Sequence, residues 1–510
     1  MKRITIILIT IILTYSGCTK FLTLEPQDEL IREEYWKTEG DVVNVLGETY
    51  AKMSKILDEI YYWTEFRGGL LMPDPKRVST SSYEFFNFNI NEYNEKVEWG
   101  DFYVIINLAN TIIEYAPLAK ENDKTFSDVA YNGYIAEAYY IRSLCYFYLV
   151  KSFKDVPFIT KSYSRDDQSF DFEKSDEQVI IDHLITDLNN IVDKAFKTDF
   201  FDKVEQKKGR VTQNAVYALL ADIYLWNDDY QNCIDACDKI TEIYLVNGED
   251  YFTLYGGTGN SIESIFELQF DEDEYQTTND YTDPKEEKDD IEYDKGNLYS
   301  LTSNNRDGKK ETFVSELLQN LYSLSDLRQT SVEGYNVTYN VEVLSIWKYE
   351  GQSPYNDSEI NRTDRDNTES DANWIFYRLA DIHLMKAEAY AELNNMTQSI
   401  EQLNIIKKRA GIPEYTGNTD NKVKVLEEIL DERAREFVGE GKRWFDLVRI
   451  CRRDIEKRLS IINDAVIPNV NSRSRSAVVS KIKNVNSWFL PIYNKELQLN
   501  KKLVQNEFYD

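Results

Sequence analysis

The sequence predicts a mainly all-α protein in which tetratricopeptide-like helix pairs form a scaffold and long loop-rich excursions interrupt it. Three observations indicate this fold class. Apolar residues recur at helical spacing through most of the 510 residues. Two stretches have the pattern of two helices joined by a short polar turn, as in tetratricopeptide repeats. Two others, at about 61–99 and 248–372, are too long for plain connections in a compact domain.

The N-terminus has the layout of a secretory signal peptide. Positive charge in the first three residues precedes ten uncharged residues, 4–13, which is too short for a spanning helix of about 20 residues. Two small residues then precede Cys18, as a cleavage site requires. We predict a signal peptide over 1–17 and a lipidated tether over 18–30. The alternative is an ordinary secreted protein with a chance cysteine.

Four predicted helices follow the tether. They cover 41–60, 99–120, 136–158 and 177–196. The third, "AEAYYIRSLCYFYLVKSFKDVPF", is apolar nearly all round and is therefore predicted to be a central helix. Pro157 indicates that this helix has ended by that point.

The two predicted helix pairs come next. The first covers 213–244 and turns at 227–229; the second covers 378–411 and turns at 394–395. The excursion 248–372 separates them, so the pairs are interrupted rather than tandem. Within it, "DEDEYQTTNDYTDPKEEKDDIEYD" carries 12 acids and 2 bases. Such a run is usually a solvated loop, and the alternative, a calcium site, lacks the ligand spacing of an EF-hand.

Composition weakens several classes of function. With 59 Lys and Arg against 89 Asp and Glu, the net charge of −30 repels nucleic acid. Only two histidines are present, so a metalloenzyme or a histidine base is disfavoured. Cys233 and Cys237 lie on one face of a predicted helix without further ligands nearby, which favours core packing over a metal site. We expect no cofactor and no metal.

The stretch "REFVGEGKRWFDLVR" clusters four charged residues that could be mistaken for an active site. Glu436, Glu440, Arg443 and Asp446 are spaced by three and four, which places them on neighbouring helical faces. The aromatic pair that begins at Trp444 indicates a buried environment. We therefore predict a structural ion-pair network here rather than a catalytic site.

Six blocks in chain order resemble the SusD/RagB family of nutrient-binding outer-membrane lipoproteins. They are "CTKFLTLEP", "WGDFYVIINLANTII", "AEAYYIRSLCYFYLVKSFKDVPF", "RLADIHLMKAEAYAELNN" with "LNIIKKRAG", "REFVGEGKRWFDLVRI" and "WFLPIYNKELQLNKKLVQNEFY". The blocks span essentially the whole chain. Departures from the family pattern are Lys154 in place of Gly, Tyr493 in place of Pro, and Asn500-Lys501 in place of Asn-Pro. The stretch that ends at Cys18 resembles a bacterial lipobox, and Tyr15 stands where lipoboxes usually carry Leu.

The resemblance implies a role as well as a fold. Cys18 would carry lipid and hold a single SusD-like domain, 31–510, on the outer membrane, facing the exterior. The domain would bind a nutrient without catalysis and act as the lid of a SusC-like TonB-dependent transporter. The expected ligand is an oligosaccharide. The alternatives are a RagB-like peptide binder, a surface glycosidase with paired carboxylates, or a scaffold that binds no nutrient.

The ligand face is expected on the two excursions, as the resemblance implies. Sugar recognition uses aromatic rings for stacking, with carboxylates, amides and arginine bonding to hydroxyls. Nine residues of these types are predicted to bind substrate: Tyr62, Trp63, Arg67, Asp74, Tyr83, Tyr281, Tyr293, Tyr299 and Trp347. Trp63 and Trp347 are expected to converge on one ligand. The competing hypothesis is that both tryptophans anchor their loops to the helices underneath.

Overall fold

The computed structural model describes residues 35–163, 168–256, 259–270, 311–338, 341–349, 351 and 372–510. Helices dominate these residues, as the sequence predicts. The predicted signal peptide, the tether and the acidic run at 271–294 lie outside the described residues.

The α-helices are numbered here in chain order. They are Glu39–Met53 (α1), Leu57–Thr64 (α2), Thr80–Phe86 (α3), Gly100–Asn122 (α4), Asp128–Phe153 (α5), Glu177–Ile191 (α6), Val204–Gly209 (α7), Gln213–Trp226 (α8), Tyr230–Cys237 (α9), Glu316–Leu321 (α10), Gln329–Val332 (α11), Leu379–Glu392 (α12), Met396–Arg409 (α13), Lys422–Phe437 (α14), Arg443–Arg452 (α15), Ile455–Val466 (α16), Arg475–Ile482 (α17) and Asn494–Leu499 (α18). Short 3₁₀ helices include Ser54–Ile56, Glu95–Val97 and Ile467–Asn469.

Six short strands form three separate two-stranded antiparallel sheets among the described residues. The strands are Leu71–Pro73 (β1), Ser264–Leu268 (β2), Thr312–Val314 (β3), Glu333–Thr338 (β4), Val341–Ile346 (β5) and Trp374–Arg378 (β6). Strand β1 pairs with β3, β2 with β6, and β4 with β5. The first and second pairings are long-range, so they tie distant parts of the chain together.

The N-terminal helices follow the apolar spacing of the sequence. Helix α1 begins with a capping box in which the side chains of Thr38 and Asp41 bond each other's backbone, and its apolar face buries Val42 and Leu46. The predicted helix at 41–60 is interrupted by the 3₁₀ turn and resumes as α2 through Thr64. The first excursion therefore begins later than predicted.

Helix α5 is the predicted central helix. It is buried almost all round and packs against α4, α6 and α1. It ends at Lys154, whose φ of 70° lies in the left-handed region. Glycine occupies that region without steric cost, which explains why the resemblance expects Gly there. Lysine at this position holds the same helix stop at some cost in backbone strain.

The two helix pairs are α8 with α9 and α12 with α13, and they turn where the sequence predicts. Asp228 and Asn394 adopt left-handed φ values of 61° and 60°, which Asp and Asn tolerate better than most residues. The following residues, Asp229 and Asn395, then cap the second helix of each pair. Helix α9 packs on α12, so the two pairs meet in space although they are far apart in sequence.

The four cysteines after Cys18 are all buried and form no disulfide, which confirms core packing for Cys233 and Cys237.

The predicted ion-pair network is also confirmed. Glu436 accepts bonds from the guanidinium groups of Arg328 and Arg378, and all three side chains are buried. Arg409, from the end of α13, is a third cation on the same carboxylate.

The neighbouring charges of the predicted cluster find partners in the same way. Glu440 pairs with Arg378 and Lys348 at 3.0 and 2.7 Å. Asp446 pairs with Arg433 and with Arg449. Each of these partners lies outside the four clustered residues, so the network extends beyond the stretch that contains the cluster.

Arg443 of the same cluster uses its guanidinium differently. It donates to the backbone carbonyls of Gly68 and Leu430. The cluster is thus a structural network in which Arg443 bonds to backbone carbonyls.

A second group of buried ion pairs joins α12 to α15 and the residue after it. Glu388 accepts bonds from Arg449 at 2.7 and 2.8 Å and from Arg453 at 2.8 Å. Burial would raise the pKa of Glu388, but the two guanidinium groups outweigh it and lower the pKa to about 2. The carboxylate therefore stays charged at neutral pH, and the helices are held by paired charges.

Trp444, in the first turn of α15, is fully buried. Its Nε1 donates to the carbonyl of Trp488 at 3.1 Å, and the guanidinium of Arg67 lies 4.6 Å from its ring centroid. It also contacts the ring of Phe88. One side chain thus links α15 to the segment after α2 and to the C-terminal region.

We expect Trp444→Ala to lower the free energy of unfolding by about 3–5 kcal/mol, because it removes a buried aromatic ring and leaves a cavity. Trp444→Phe, which keeps a ring but loses the bond to Trp488, should lose clearly less. Denaturant titration followed by circular dichroism measures both. Wild-type stability of Trp444→Ala would contradict the placement of this ring in the core.

Candidate ligand-binding site

A surface cleft of about 630 Å³ lies beside β1 and α3, and we call it the Tyr83 cleft. Its volume is within the range of about 300–1,000 Å³ that small-molecule sites occupy. It is lined by Met72, Pro73, Pro75, Val78, Ser79, Thr80, Tyr83, Phe86, Asn87, Glu316, Pro468, Asn469 and Asn471. The cleft combines apolar walls with amide and hydroxyl groups.

Three separate chain segments build the cleft, and the pairing of β1 with β3 brings two of them together. Leu71 lies opposite Val314 in this antiparallel ladder. Just beyond the ladder, Ser315 donates its amide to the carbonyl of Leu70 at 2.9 Å and its hydroxyl to that of Gly69. The two predicted excursions therefore meet, and this contact places Glu316 at the cleft.

The turn after β1 forms one wall, and Asp74 shapes it from within. Its side chain is buried, and Oδ1 accepts the amide of Lys76 at 2.9 Å. Its carbonyl accepts the amide of Val78, and its own amide donates to the carbonyl of Glu311 at 2.7 Å. Asp74 was predicted to contact ligand; the structure instead gives it a buried position in which it sets the course of the wall.

Helix α3 forms the next part of the wall. Ser79 caps it by accepting the amide of Ser82 at 3.0 Å. Phe86 stacks on Phe66 beneath the helix, with 4.6 Å between ring centroids. Tyr83, one turn earlier on the helix, is 38% exposed. Its ring is the exposed aromatic surface of the cleft.

The third segment follows α16. Asn469 donates its Nδ2 to the carbonyls of Gly69 and Leu71. These bonds tie the 3₁₀ helix Ile467–Asn469 to the start of β1, so Pro468 and Asn471 face the same cleft as Tyr83.

Tyr62 was predicted to bind ligand, but it lies beneath the cleft. It is 1% exposed and shares side-chain hydrogen bonds with Ser82 and Glu311. Burial raises the pKa of its hydroxyl, and the carboxylate of Glu311 raises it further. The Lys96 ammonium lies 4.6 Å from its ring centroid, so this face of the ring is also covered.

Trp63 occupies the core rather than an open face. It is 0% exposed and stacks on Phe102 of α4 at 5.1 Å between centroids. Its Nε1 donates to the carbonyl of Lys96 at 2.7 Å. The expected surface position of Trp63 is wrong because α2 continues through this residue and turns it towards α4 and α5. Its geometry is that of an anchor, as the competing hypothesis predicts.

Arg67 is likewise buried. Its Nε donates to the carbonyl of Trp63 at 3.0 Å, and Nη1 donates to that of Trp488 at 2.8 Å. Burial lowers the pKa of this guanidinium to about 9. The side chain, predicted to bind ligand, instead fastens the end of α2 to the C-terminal region.

Trp347 is 1% exposed and lies after β5, where its amide donates to the carbonyl of Val332 at 2.7 Å. A Cβ atom on Gly351 would lie 2.2 Å from its indole, so the chain passes directly over the ring. The expected convergence of Trp347 with Trp63 on one ligand is therefore not seen.

Tyr281, Tyr293 and Tyr299 lie outside the described residues, and their contact with ligand stays a prediction.

The sequence reasoning missed most of the polar groups of the cleft. Asn87, Asn469 and Asn471 were not singled out, and neither was Glu316. Their sequence neighbourhoods carry no distinctive pattern, because the wall exists only once distant segments have paired. Tyr83 is the one predicted residue among those described that reaches the cleft surface.

A second cleft of about 600 Å³ lies between α1, α7 and the end of β2. Its main charged group, Arg210, is bound to the buried carboxylate of Glu137, which also accepts the hydroxyl of Tyr50. Arg210, Glu137 and Tyr50 are already bonded to one another, so the Tyr83 cleft is the better candidate for a polar ligand.

No cluster of three His, Cys, Asp or Glu side chains that could hold a metal ion occurs in the described part of the chain.

Comparison with known proteins gives two family matches that together span most of the chain. Residues 221–509 match the SusD family, and residues 20–225 match a family described as "Starch-binding associating with outer membrane". SusD-like protein P2 of Formosa agariphila is 23% identical over 545 aligned residues, covering 99% of each chain. A SusD-like protein of Bacteroides ovatus is 23% identical and covers 91% of this chain and 85% of its own.

Solved structures share the fold. A SusD superfamily protein from Bacteroides thetaiotaomicron superposes with a TM-score of 0.71 at 21% identity, covering 93% of this chain and 99% of that one. A SusD-like protein from Bacteroides fragilis gives 0.71 at 18% identity, covering 95% and 100%. At these identities the structural likeness establishes the fold alone.

The positions of two aromatic residues predict losses of stability that differ in size. Trp63→Ala should lower the free energy of unfolding by about 3–5 kcal/mol, because the ring fills the core between α2 and α4. Tyr83→Ala should lower it by about 1 kcal/mol or less, because the ring is partly exposed. Denaturant titration of both variants measures the difference. Equal losses would contradict the distinction between anchor and cleft residue.

Proposed function

Because the chain belongs to the SusD family, we propose that it is a cell-surface protein that binds a nutrient oligosaccharide and passes it to a TonB-dependent transporter of the outer membrane. The family matched by the N-terminal half, described as starch-binding and associating with the outer membrane, supports both the carbohydrate ligand and the location. The transfer to a SusC-like transporter is proposed from the family resemblance alone.

The observation that carries the proposal is the composition of the Tyr83 cleft. A partly exposed aromatic ring provides a stacking surface for a sugar face. The amides of Asn87 and Asn471 and the hydroxyl of Thr80 supply donors and acceptors of the kind that pair with sugar hydroxyls. Apolar walls from prolines and Met72 complete a surface suited to a ligand with both polar and apolar faces.

We propose binding without catalysis. A glycosidase generally uses two carboxyl groups that flank the scissile bond. Glu316 is the one carboxylate among the described residues that line the cleft. The carboxylates of Glu436 and Glu440 are buried in ion pairs, where they cannot reach a sugar. Incubating the protein with candidate glycans and separating the products by chromatography tests this; shortened products would overturn it.

We propose attachment to the outer membrane through Cys18, with residues 18–30 as a tether and the folded domain outside the cell. The apolar run that ends at Ser-Gly-Cys supports this placement. A lipid on Cys18 would keep a strongly acidic domain at a membrane whose surface does not attract it electrostatically.

Replacing Tyr83 by Ala should weaken glycan binding by roughly 1–3 kcal/mol, the range for loss of a stacked ring at a binding hot spot. Isothermal titration calorimetry against oligosaccharides that bind the wild-type protein measures the change. Tyr93→Ala is the matched control, because Tyr93 is highly exposed and lies outside the cleft lining. Equal affinities of both variants would remove the cleft from the proposal, and selective binding of peptides would favour the RagB-like alternative.

Replacing Cys18 by Ala should release the protein from membranes without changing its folding, because the substitution removes the atom that would carry the lipid. Cells grown with a palmitate analogue and then fractionated report both lipid incorporation and location. A wild-type protein that carries no label, or a variant that stays in the membrane fraction, would contradict the anchor.

A further inference from the structure

We propose that the Tyr83 cleft selects neutral oligosaccharides and rejects glycans that carry carboxylate or sulfate groups. The inference rests on the proposed function, since it narrows the ligand class of the same site. It is carried by the distribution of charge in and around the cleft.

The lining is neutral apart from one acid. Among the described residues that form it, the uncharged polar groups are serine, threonine, asparagine and tyrosine side chains, and no lysine or arginine is present. Glu316, at the first position of α10, is exposed and supplies a single negative charge. Among these described lining residues, an anionic sugar would therefore meet one carboxylate and no cation.

Two cations of the helix α17, which follows the third wall segment, are bonded to backbone carbonyls. Arg475 donates to the carbonyls of Val470 and Pro468 at 3.0 and 2.9 Å. Lys481 donates to the carbonyl of Phe88 at 2.8 Å. Lys76 and Arg77, in the turn after β1, and Arg473, shortly after Asn471, are exposed but do not line the cleft. Binding an anion through Arg475 or Lys481 would cost those wall contacts.

The physical consequence is a penalty for negatively charged ligands. A carboxylate or sulfate that leaves water for this cleft loses hydration and gains no ion pair. The net charge of −30 adds a repulsive field around the whole chain. A neutral sugar meets the opposite situation, because its hydroxyls can donate to Glu316 and pair with the asparagine amides.

Glycan pairs with the same linkage but different charge provide the test. The full mature chain is applied to an array that includes β-1,4-mannan and β-1,4-mannuronan oligosaccharides, and cellulose and glucuronan oligosaccharides, along with other neutral and sulfated glycans. Every binding signal is repeated with Tyr83→Ala. We expect Tyr83-dependent signals on neutral glycans only. We also expect affinities that change less than about twofold between about 50 and 500 mM NaCl, because no charge pair is screened.

Charge reversal at the one acidic position sharpens the test. Glu316→Lys should weaken neutral-glycan binding about tenfold and make binding of the acidic partner of the same pair detectable. Glu456→Lys is the matched control, since Glu456 is also an exposed acid in the first turn of a helix, α16, but lies outside the cleft lining. It should leave both affinities unchanged.

The outcomes separate this inference from the proposed function. Tyr83-dependent binding of acidic glycans as tight as that of neutral ones overturns the selectivity alone. Loss of such binding in Arg77→Gln would identify the cation responsible. If no glycan binds in a Tyr83-dependent manner, the proposed site itself fails, and the selectivity fails with it.

Discussion

The fold depends on the buried charges around Glu436. Its carboxylate receives guanidinium groups from three places in the chain: Arg328 before α11, Arg378 at the end of β6, and Arg409 at the end of α13. Glu263 of the loop before β2 pairs with Arg378 as well. Removing one partner from such a group leaves a buried charge without compensation, a loss that typically costs about 3–5 kcal/mol. The helix pairs and the strands between them are thus held in one arrangement.

This arrangement reaches the cleft through the loop that follows α14. Gly439 and Gly441 have positive φ values, and the backbone amides of both donate to the carboxylate of Glu65, next to the end of α2. Glu65 therefore fixes α2 against the charged core. Helix α2 leads directly to β1 through Gly69, whose positive φ and contact with Ala465 leave no room for a side chain. The rigid scaffold in this way sets the position of the cleft wall.

Much of the scaffold could be predicted from sequence because its signals are local. The 3.6-residue spacing of apolar residues predicted α1, α4, α5 and α6, and short polar turns predicted both helix pairs. The burial of Trp444 was indicated by the aromatic pair that it forms with Phe445. The position of Trp63 could not be predicted in the same way, because an aromatic ring at the end of a helix is compatible with core or surface. Its burial depends on Phe102 and Lys96, which only the tertiary fold brings near. The cleft was harder still to predict from sequence, because Asn469 and Tyr83 come to line it only through long-range pairing.

The bond between Asn469 and Leu71 joins residues 398 positions apart in the chain. Contacts of such separation form late, because a long loop must close before they can contribute any stability. A nascent chain can therefore contain β1 and α3 while the Tyr83 cleft still lacks one wall. The Tyr83 cleft is therefore complete only in the finished molecule, and a chain cut short before α16 would lack the wall that Pro468, Asn469 and Asn471 form.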